Sequence, residues 1–121
     1  MAKTKYDYAK AYLDDAAEIA KAAKILGRML EDDEEGSFHG STLKERKEEY
    51  DQILRDVEDT IAKMDSVEGY ALICRYVYLW KDAKIQRKTG YSRSGIYKLM
   101  ARGTNELYDY LPDDWRRPYA S

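Results

Sequence analysis

The spacing of apolar side chains in the first half of the chain constrains the fold more than any other feature. These side chains recur every four or three residues in two series. The first series is Tyr12, Ala16, Ile19, Ala23, Leu26 and Leu30, and the second is Leu43, Tyr50, Leu54, Val57, Ile61 and Met64. Lys47 stands at the one position of the second series that is not apolar. Such spacing places each series on one face of an α-helix. Two long helices with matching apolar faces form either an antiparallel hairpin or a pair that dimerises.

Loop and capping residues mark the ends of these two helices. The first helix is predicted over about 6–30, and the acidic run EDDEEGSFHGST over 31–42 predicts a loop. Thr42, followed by Glu45 three positions later, has the pattern of a capping box that begins the second helix. His39 is the one histidine in this acidic loop, and a metal site would need ligands on rigid elements. A solvated loop is therefore the favoured interpretation of the segment.

A third helix is predicted over about 66–80, with Asp65 as its cap. Its sequence, GYALICRYVYLW, is apolar nearly all round, which indicates burial by neighbours on several sides. Cys74 is the only cysteine and lies in this helix, so we expect it to pack in the core. No stretch has the alternating pattern of a β-strand. The fold class predicted from these patterns is all-α.

The segment DAKIQRKTGYSRSGIYKLMA, which begins at Asp82, predicts two helices joined by a tight turn. Asp82 is expected to cap the first helix, which ends near Lys88 because Gly90 readily adopts the positive φ of a helix end. Ser92 is expected to cap the second, which continues to about Leu111. Two helices joined by so short a turn must share a core, for which the candidates are Ile85, Tyr91, Ile96 and Leu99.

Charge is distributed unevenly along the chain. Residues 1–64 hold 11 basic and 16 acidic residues, a net charge of −5, whereas residues 65–121 hold 10 basic and seven acidic residues, a net charge of +3. Between residues 75 and 102 there are eight basic residues and a single acid, Asp82. A polyanion-binding surface needs such a local excess of positive charge, and a solvated basic face is the alternative.

The second of the two short helices is predicted to expose a basic, hydrogen-bonding face, as a helix in the major groove of DNA requires. The candidates for base contact are Arg93, Ser94, Tyr97 and Lys98. Arg93 is favoured among them because its forked guanidinium matches guanine. The candidates for phosphate contact are Lys84, Arg87, Lys88, Ser92 and Arg102. The alternative is the polar face of an ordinary C-terminal helix.

This segment resembles the helix-turn-helix of sigma-factor region 4 and of related phage regulators. The residues that carry the resemblance are Ile85, Gly90, the run Ser92-Arg93-Ser94, and the apolar Ile96 and Leu99. The preceding RYVYLW and the following NELYDYL also look like the flanking parts of these proteins. Gln86 departs from the pattern, because the motif usually has a small residue there. With the acidic N-terminal hairpin, the whole chain looks like the ArpU/RinA-type late-transcription regulators of phages of low-GC Gram-positive bacteria.

Together these features predict two units. Residues 1–64 form a long helical hairpin for dimerisation or partner contact, and residues 65–121 form a helix-turn-helix DNA-binding module with a C-terminal tail. The resemblance implies a homodimeric, sequence-specific regulator of phage or prophage transcription that reads double-stranded DNA with the helix starting at Ser92. Contact with RNA polymerase through the hairpin is a further implication.

Two other functions fit the same sequence. An oligomeric DNA-packaging protein, like a small terminase subunit, would use the module to recognise phage DNA and the hairpins to build a ring. A protein-interaction module would instead dock its basic helix on an acidic partner.

The sequence gives no indication of catalysis. It contains no nucleophile–base pair, phosphate-binding glycine loop or carboxylate pair at a defined spacing, so we expect no enzyme, no metal and no cofactor. The start MAKTKYDYAK lacks the apolar core of a secretory signal, and no apolar run is long enough to span a bilayer. The expectation is a cytoplasmic protein of the bacterial host cell without a membrane partner.

Overall fold

The elements that the structure describes are all helical. A computed structural model describes residues 3–32 and 40–120, and within these ranges there is no β-strand. A π-helical turn, Ile73–Val77, extends the third helix, and a 3-10 turn, Tyr108–Tyr110, follows the fifth. The six α-helices are α1 (Lys5–Asp32), α2 (Gly40–Ala62), α3 (Val67–Leu72), α4 (Asp82–Thr89), α5 (Arg93–Leu107) and α6 (Asp113–Ala120). The predicted all-α fold class is confirmed.

α1 and α2 pack against each other in opposite directions. Near the end of α1, a Cβ added to Gly27 would stand 3.2 Å from Cε of Lys47 in the first half of α2. Near the beginning of α1, Tyr12 contacts Thr60 at the end of α2. Alanines allow the two backbones to approach closely, and the buried apolar residues of the two helices are Ala9, Tyr12, Leu13, Ala16, Ala20 and Ala23 with Val57 and Ile61.

The beginning of α2 differs from the sequence prediction. The helix starts at Gly40, so Thr42 lies inside its first turn and the expectation that Thr42 caps it is wrong. Residues 33–39, with His39, lie outside the described residues, and the prediction of a solvated acidic loop there stays a prediction. Three apolar side chains of the helix pair, Ile25, Met29 and Ile53, are exposed.

The cap of α3 is Ser66 rather than Asp65. The Ser66 hydroxyl accepts a hydrogen bond from the Gly69 N–H at 3.1 Å, which satisfies one of the unpaired donors of the first turn. Asp65 instead adopts a left-handed conformation with φ of 46°, which aspartate tolerates better than most residues. Asp65 therefore turns the chain from α2 into α3.

The third helix also ends earlier than predicted. Its last turn is π-helical and finishes at Val77, and Leu79 then takes a left-handed φ of 59°. The Trp80 N–H donates to the Cys74 carbonyl at 2.8 Å, which closes the helix end in the manner usually seen with glycine. This reversal directs the chain into α4.

One apolar core joins the N-terminal and C-terminal segments. The first half of α1 lies at its centre, in contact with α2, the π-helical turn, α5 and α6. Trp115 of α6 stands edge-on to Tyr12, with ring centroids 5.3 Å apart. The largest fully buried apolar side chains are Leu13, Ile61, Leu72, Ile85, Ile96, Leu99 and Leu107. The division of the chain into a unit of residues 1–64 and a unit of residues 65–121 stays a prediction.

The backbones of α3 and α5 come close to each other where the two helices cross at Gly103. A Cβ added to Gly103 would stand 3.0 Å from Cβ of Glu68 and 3.2 Å from the Glu68 carbonyl oxygen. A larger residue at this crossing would therefore force its neighbours on α3 to shift by a few tenths of an ångström.

Two isoleucines of α2 test the position of the core. Ile61 is fully buried, whereas Ile53 is 40% exposed. Ile61→Ala should lower the free energy of unfolding by about 2–5 kcal/mol, because it leaves a cavity among side chains that cannot collapse fully. Ile53→Ala is the matched control and should cost less than about 1 kcal/mol, since it removes half-solvated surface. Urea unfolding followed by circular dichroism measures both, and equal losses would contradict this core.

Candidate nucleic-acid interface

The turn between α4 and α5 has the two features that the sequence predicted. Gly90 has a left-handed φ of 78°, and its N–H donates to the Gln86 carbonyl at 2.8 Å, which ends α4. Ser92 is extended, with φ −71° and ψ 166°, and its hydroxyl accepts from the Gly95 N–H at 3.1 Å, which begins α5. The expectations at Gly90 and Ser92 are confirmed. Only Gly90, Tyr91 and Ser92 separate the two helices.

The shared interior of α4 and α5 contains three of the four predicted residues. Ile85, Ile96 and Leu99 are buried. Tyr91 is 41% exposed, so the expectation that it packs inside is wrong. Tyr91 lies between the left-handed Gly90 and the extended Ser92. This backbone conformation places its ring on the outside of the turn, beside Gly95.

α5 has one apolar face and one polar face. Ile96, Leu99, Met100 and Leu107 are buried on the first. The predicted contact residues on the second are all exposed, and they are Arg93, Ser94, Tyr97, Lys98 and Arg102. The exposed face begins in the first turn of the helix, directly after the Ser92 cap.

The predicted phosphate-contact residues of α4 differ in their surroundings. Arg87 and Lys88 are exposed near the end of the helix. Lys84 is half-buried, and its ammonium group lies 4.2 Å from the centroid of the Trp80 ring, a cation–π contact. Arg87 and Lys88 are therefore free to meet a ligand without breaking such a contact.

Most of the basic side chains between residues 75 and 102 are not neutralised. Arg75 and Arg93 pair with Asp82, and Arg102 lies 3.7 Å from Glu68. In the described part of the chain, five others have no ion-pair partner: Lys81, Lys84, Arg87, Lys88 and Lys98. Unpaired cations produce a positive potential, which attracts a phosphate backbone.

Asp82 does not cap α4, and its actual role was missed by the sequence analysis. It is the first residue of the helix, preceded by Lys81 without a side-chain cap. Its Oδ1 pairs with the guanidinium of Arg75, and its Oδ2 accepts a hydrogen bond from the Tyr97 hydroxyl at 2.9 Å. The same Oδ2 lies 3.3 Å from Nε of Arg93. The one indication in the sequence was that Asp82 is the single acid in the basic segment.

Two titratable side chains next to this unit have shifted pKa values. Burial raises the pKa of the Cys74 thiol. A hydrogen bond to the Glu58 carboxylate raises the pKa of Tyr78 to about 12. Both groups therefore stay protonated at neutral pH and add no charge to the interface.

The described residues lack two other kinds of feature. Among residues 3–32 and 40–120, no three His, Cys, Asp or Glu side chains are grouped so that they could hold a metal ion. No helix in these ranges has the length and apolar character needed to cross a bilayer.

The left-handed Gly90 provides a test of the turn. A Cβ at this position would meet no atom within 4 Å, so the effect of a substitution reports the backbone conformation alone. Gly90→Ala should lower the free energy of unfolding by about 1 kcal/mol, because alanine is strained at positive φ. Gly90→Asn should cost less, since asparagine tolerates this region. If urea unfolding finds both variants as stable as the parent, the turn is not formed as described.

Comparison with protein-family models, with curated proteins and with solved structures found no match to this chain. The resemblance to sigma-factor region 4 and to ArpU/RinA-type regulators stays a prediction that rests on the residues given above. The function is therefore inferred from the geometry and charge of the α4–α5 unit.

Proposed function

We propose that this chain binds double-stranded DNA by placing the exposed face of α5 in the major groove. One observation carries the proposal: α5 buries its apolar face against its neighbours while Arg93, Ser94, Tyr97 and Lys98 remain exposed from its first turn onward. The major groove admits one α-helix, and its base edges are read by polar side chains near the N-terminal end of that helix.

The exposed residues divide into two kinds of contact in this proposal. Arg93, Ser94, Tyr97 and Lys98 meet base edges, and Lys84, Arg87, Lys88 and Arg102 meet phosphates. Ser92 remains the cap, and the N-terminal end of α5 meets a phosphate there, as helix N-termini favour anions. Phosphate contacts position the protein, whereas base contacts give it sequence preference.

The proposal extends to a regulator of transcription in a phage or its bacterial host, without enzymatic activity. The acidic residues of the α1–α2 pair repel DNA, which leaves this pair free for protein contacts. Exposed Ile25, Met29 and Ile53 on the same pair favour contact with a second copy of the chain or with RNA polymerase. Two copies would double the number of base contacts by reading two half-sites.

Selection from random duplex DNA, followed by binding measurements, tests the DNA contacts. Arg93→Ala should lose about 1–3 kcal/mol of preference at one base pair, because it removes a base-edge contact. Lys88→Ala should weaken binding to all duplexes alike and reduce the salt slope by about one, because it removes a phosphate contact.

Lys63→Ala is the matched control for this experiment. Lys63 is exposed on the segment after α2, far along the chain from the α4–α5 unit, and its loss removes the same charge. It should leave both sequence preference and salt slope unchanged. No enrichment of any duplex sequence, or equal effects of Lys88→Ala and Lys63→Ala, would contradict the proposal.

The mass of the protein in solution tests its assembly. Two copies per particle are expected, because apolar side chains exposed on the α1–α2 pair are covered when two pairs meet. Analytical ultracentrifugation measures this mass. A ring of many subunits would favour a packaging protein instead. Ile25→Asp should dissociate the dimer, because it places a charge on the apolar surface. Lys24→Asp, at an exposed position that is already charged, is the control and should not dissociate it.

A further inference from the structure

We infer that Asp82 is a positioning residue that holds Arg93 in the orientation needed to read a base. The inference rests on the proposed function, since it concerns how the α5 face selects among DNA sequences. It assigns to the one acid of the basic segment a role in specificity.

The contacts of Asp82 connect three parts of the chain. Its Oδ1 pairs with Arg75 of the π-helical turn, and its Oδ2 receives the Tyr97 hydroxyl at 2.9 Å and lies 3.3 Å from Nε of Arg93. The Asp82 side chain is 23% exposed and that of Arg75 is 29% exposed. The carboxylate is thus partly shielded from water. One of its oxygens pairs with Arg75, and the other contacts Arg93 and Tyr97 on the exposed face of α5.

The pairing leaves the end of the Arg93 guanidinium available. Within the described residues, Arg93 is contacted at Nε by Asp82 and by the Tyr97 hydroxyl at 3.4 Å, and its guanidinium lies 5.8 Å from the centroid of the Tyr97 ring. The two polar contacts use Nε. Nη1 and Nη2 remain as a pair of donors on a side chain that is 70% exposed, and such a pair matches O6 and N7 of guanine.

Holding Arg93 before binding has a thermodynamic effect. A free arginine loses side-chain entropy when it is ordered at an interface, and ordering it in advance removes part of that cost from the binding step. The effect favours the base that the held guanidinium can reach, and it gives no advantage to other bases.

The charge of Asp82 acts in the opposite direction on binding without sequence preference. A carboxylate among eight cations weakens the attraction of the surface for any phosphate backbone. Asp82 therefore lowers affinity for unrelated DNA while it supports the contact that discriminates, and both effects increase the ratio between specific and non-specific binding.

Asp82→Asn separates this role from a purely structural one. The variant keeps the shape of the side chain but removes its charge. The preference for the base pair read by Arg93, defined as the one lost in Arg93→Ala, should fall about 2- to 10-fold, the range expected for ordering one such side chain. Affinity for random duplex DNA should rise, because one negative charge is removed from the basic surface, whereas a folding defect would lower both quantities.

Two further variants serve as controls. Glu106→Gln removes one negative charge from an exposed position of α5 that has no ion pair in the described residues, and it should raise non-specific affinity without changing base preference. Tyr97→Phe keeps every charge and removes the hydroxyl that bonds Asp82. It should reduce the same base preference, and it keeps the inference testable if Asp82→Asn does not fold.

A double-mutant comparison gives the decisive outcomes. In the Arg93→Ala background, Asp82→Asn should cause no further loss of base preference, because the group it positions is absent. If Arg93→Ala loses its preference while Asp82→Asn and Tyr97→Phe keep it, the inference on Asp82 is wrong and DNA binding stands. If the parent chain enriches no duplex sequence, or Arg93→Ala loses no preference at any base pair, the proposed function fails and the inference fails with it.

The pairing itself has a readout that does not involve DNA. The Nε–H of Arg93 should give a slowly exchanging NMR resonance in the parent chain, because it lies against a carboxylate. This resonance should exchange rapidly in Asp82→Asn and stay unchanged in Glu106→Gln. Equal exchange rates in the parent chain and in Asp82→Asn would show that Asp82 does not hold Arg93 in solution and would overturn the inference.

Discussion

The burial of the alanine-rich face of α1 is the interaction on which the other elements depend. Ala9, Leu13 and Ala16 have almost no exposed surface, and this part of the helix contacts α2, the π-helical turn, α5 and α6. α3 has six residues and α4 has eight, lengths at which a helix is not stable alone in water. They exist because they pack on this core. α5 packs on α3 and on α1, so both helices set the direction in which it presents its basic face.

Much of this architecture follows from local sequence patterns. The 3/4 spacing of apolar residues predicted both long helices and the polar outer face of α5, because amphipathic periodicity is a property of one helix and requires no knowledge of its partner. The turn between α4 and α5 was predicted for the same reason: Gly90 and Ser92 act through the backbone within three residues. At the candidate site, the exposed set from Arg93 to Arg102 was predicted in full, although its function remains a proposal.

The features that escaped the sequence analysis depend on groups distant along the chain. Aspartate is a common helix cap, which is why Asp82 was expected to cap α4. Its carboxylate instead binds Arg75 and Tyr97, whose positions are set by packing. Tyr91 is apolar enough for a core, yet the backbone of the turn directs it outward. The π-helical turn has no recognised pattern of residues, so the sequence did not predict it. Local propensity therefore located the elements, and tertiary contacts decided how their polar residues pair.

The close crossing of α3 and α5 at Gly103 has a mechanical consequence. At this crossing the Glu68 carbonyl and the side chains of Glu68 and Leu72 lie where a side chain at position 103 would project, so the absence of a side chain on Gly103 allows the two helices to come this close. A larger residue at position 103 would push α3 and α5 apart and alter the direction in which the outer face of α5 points.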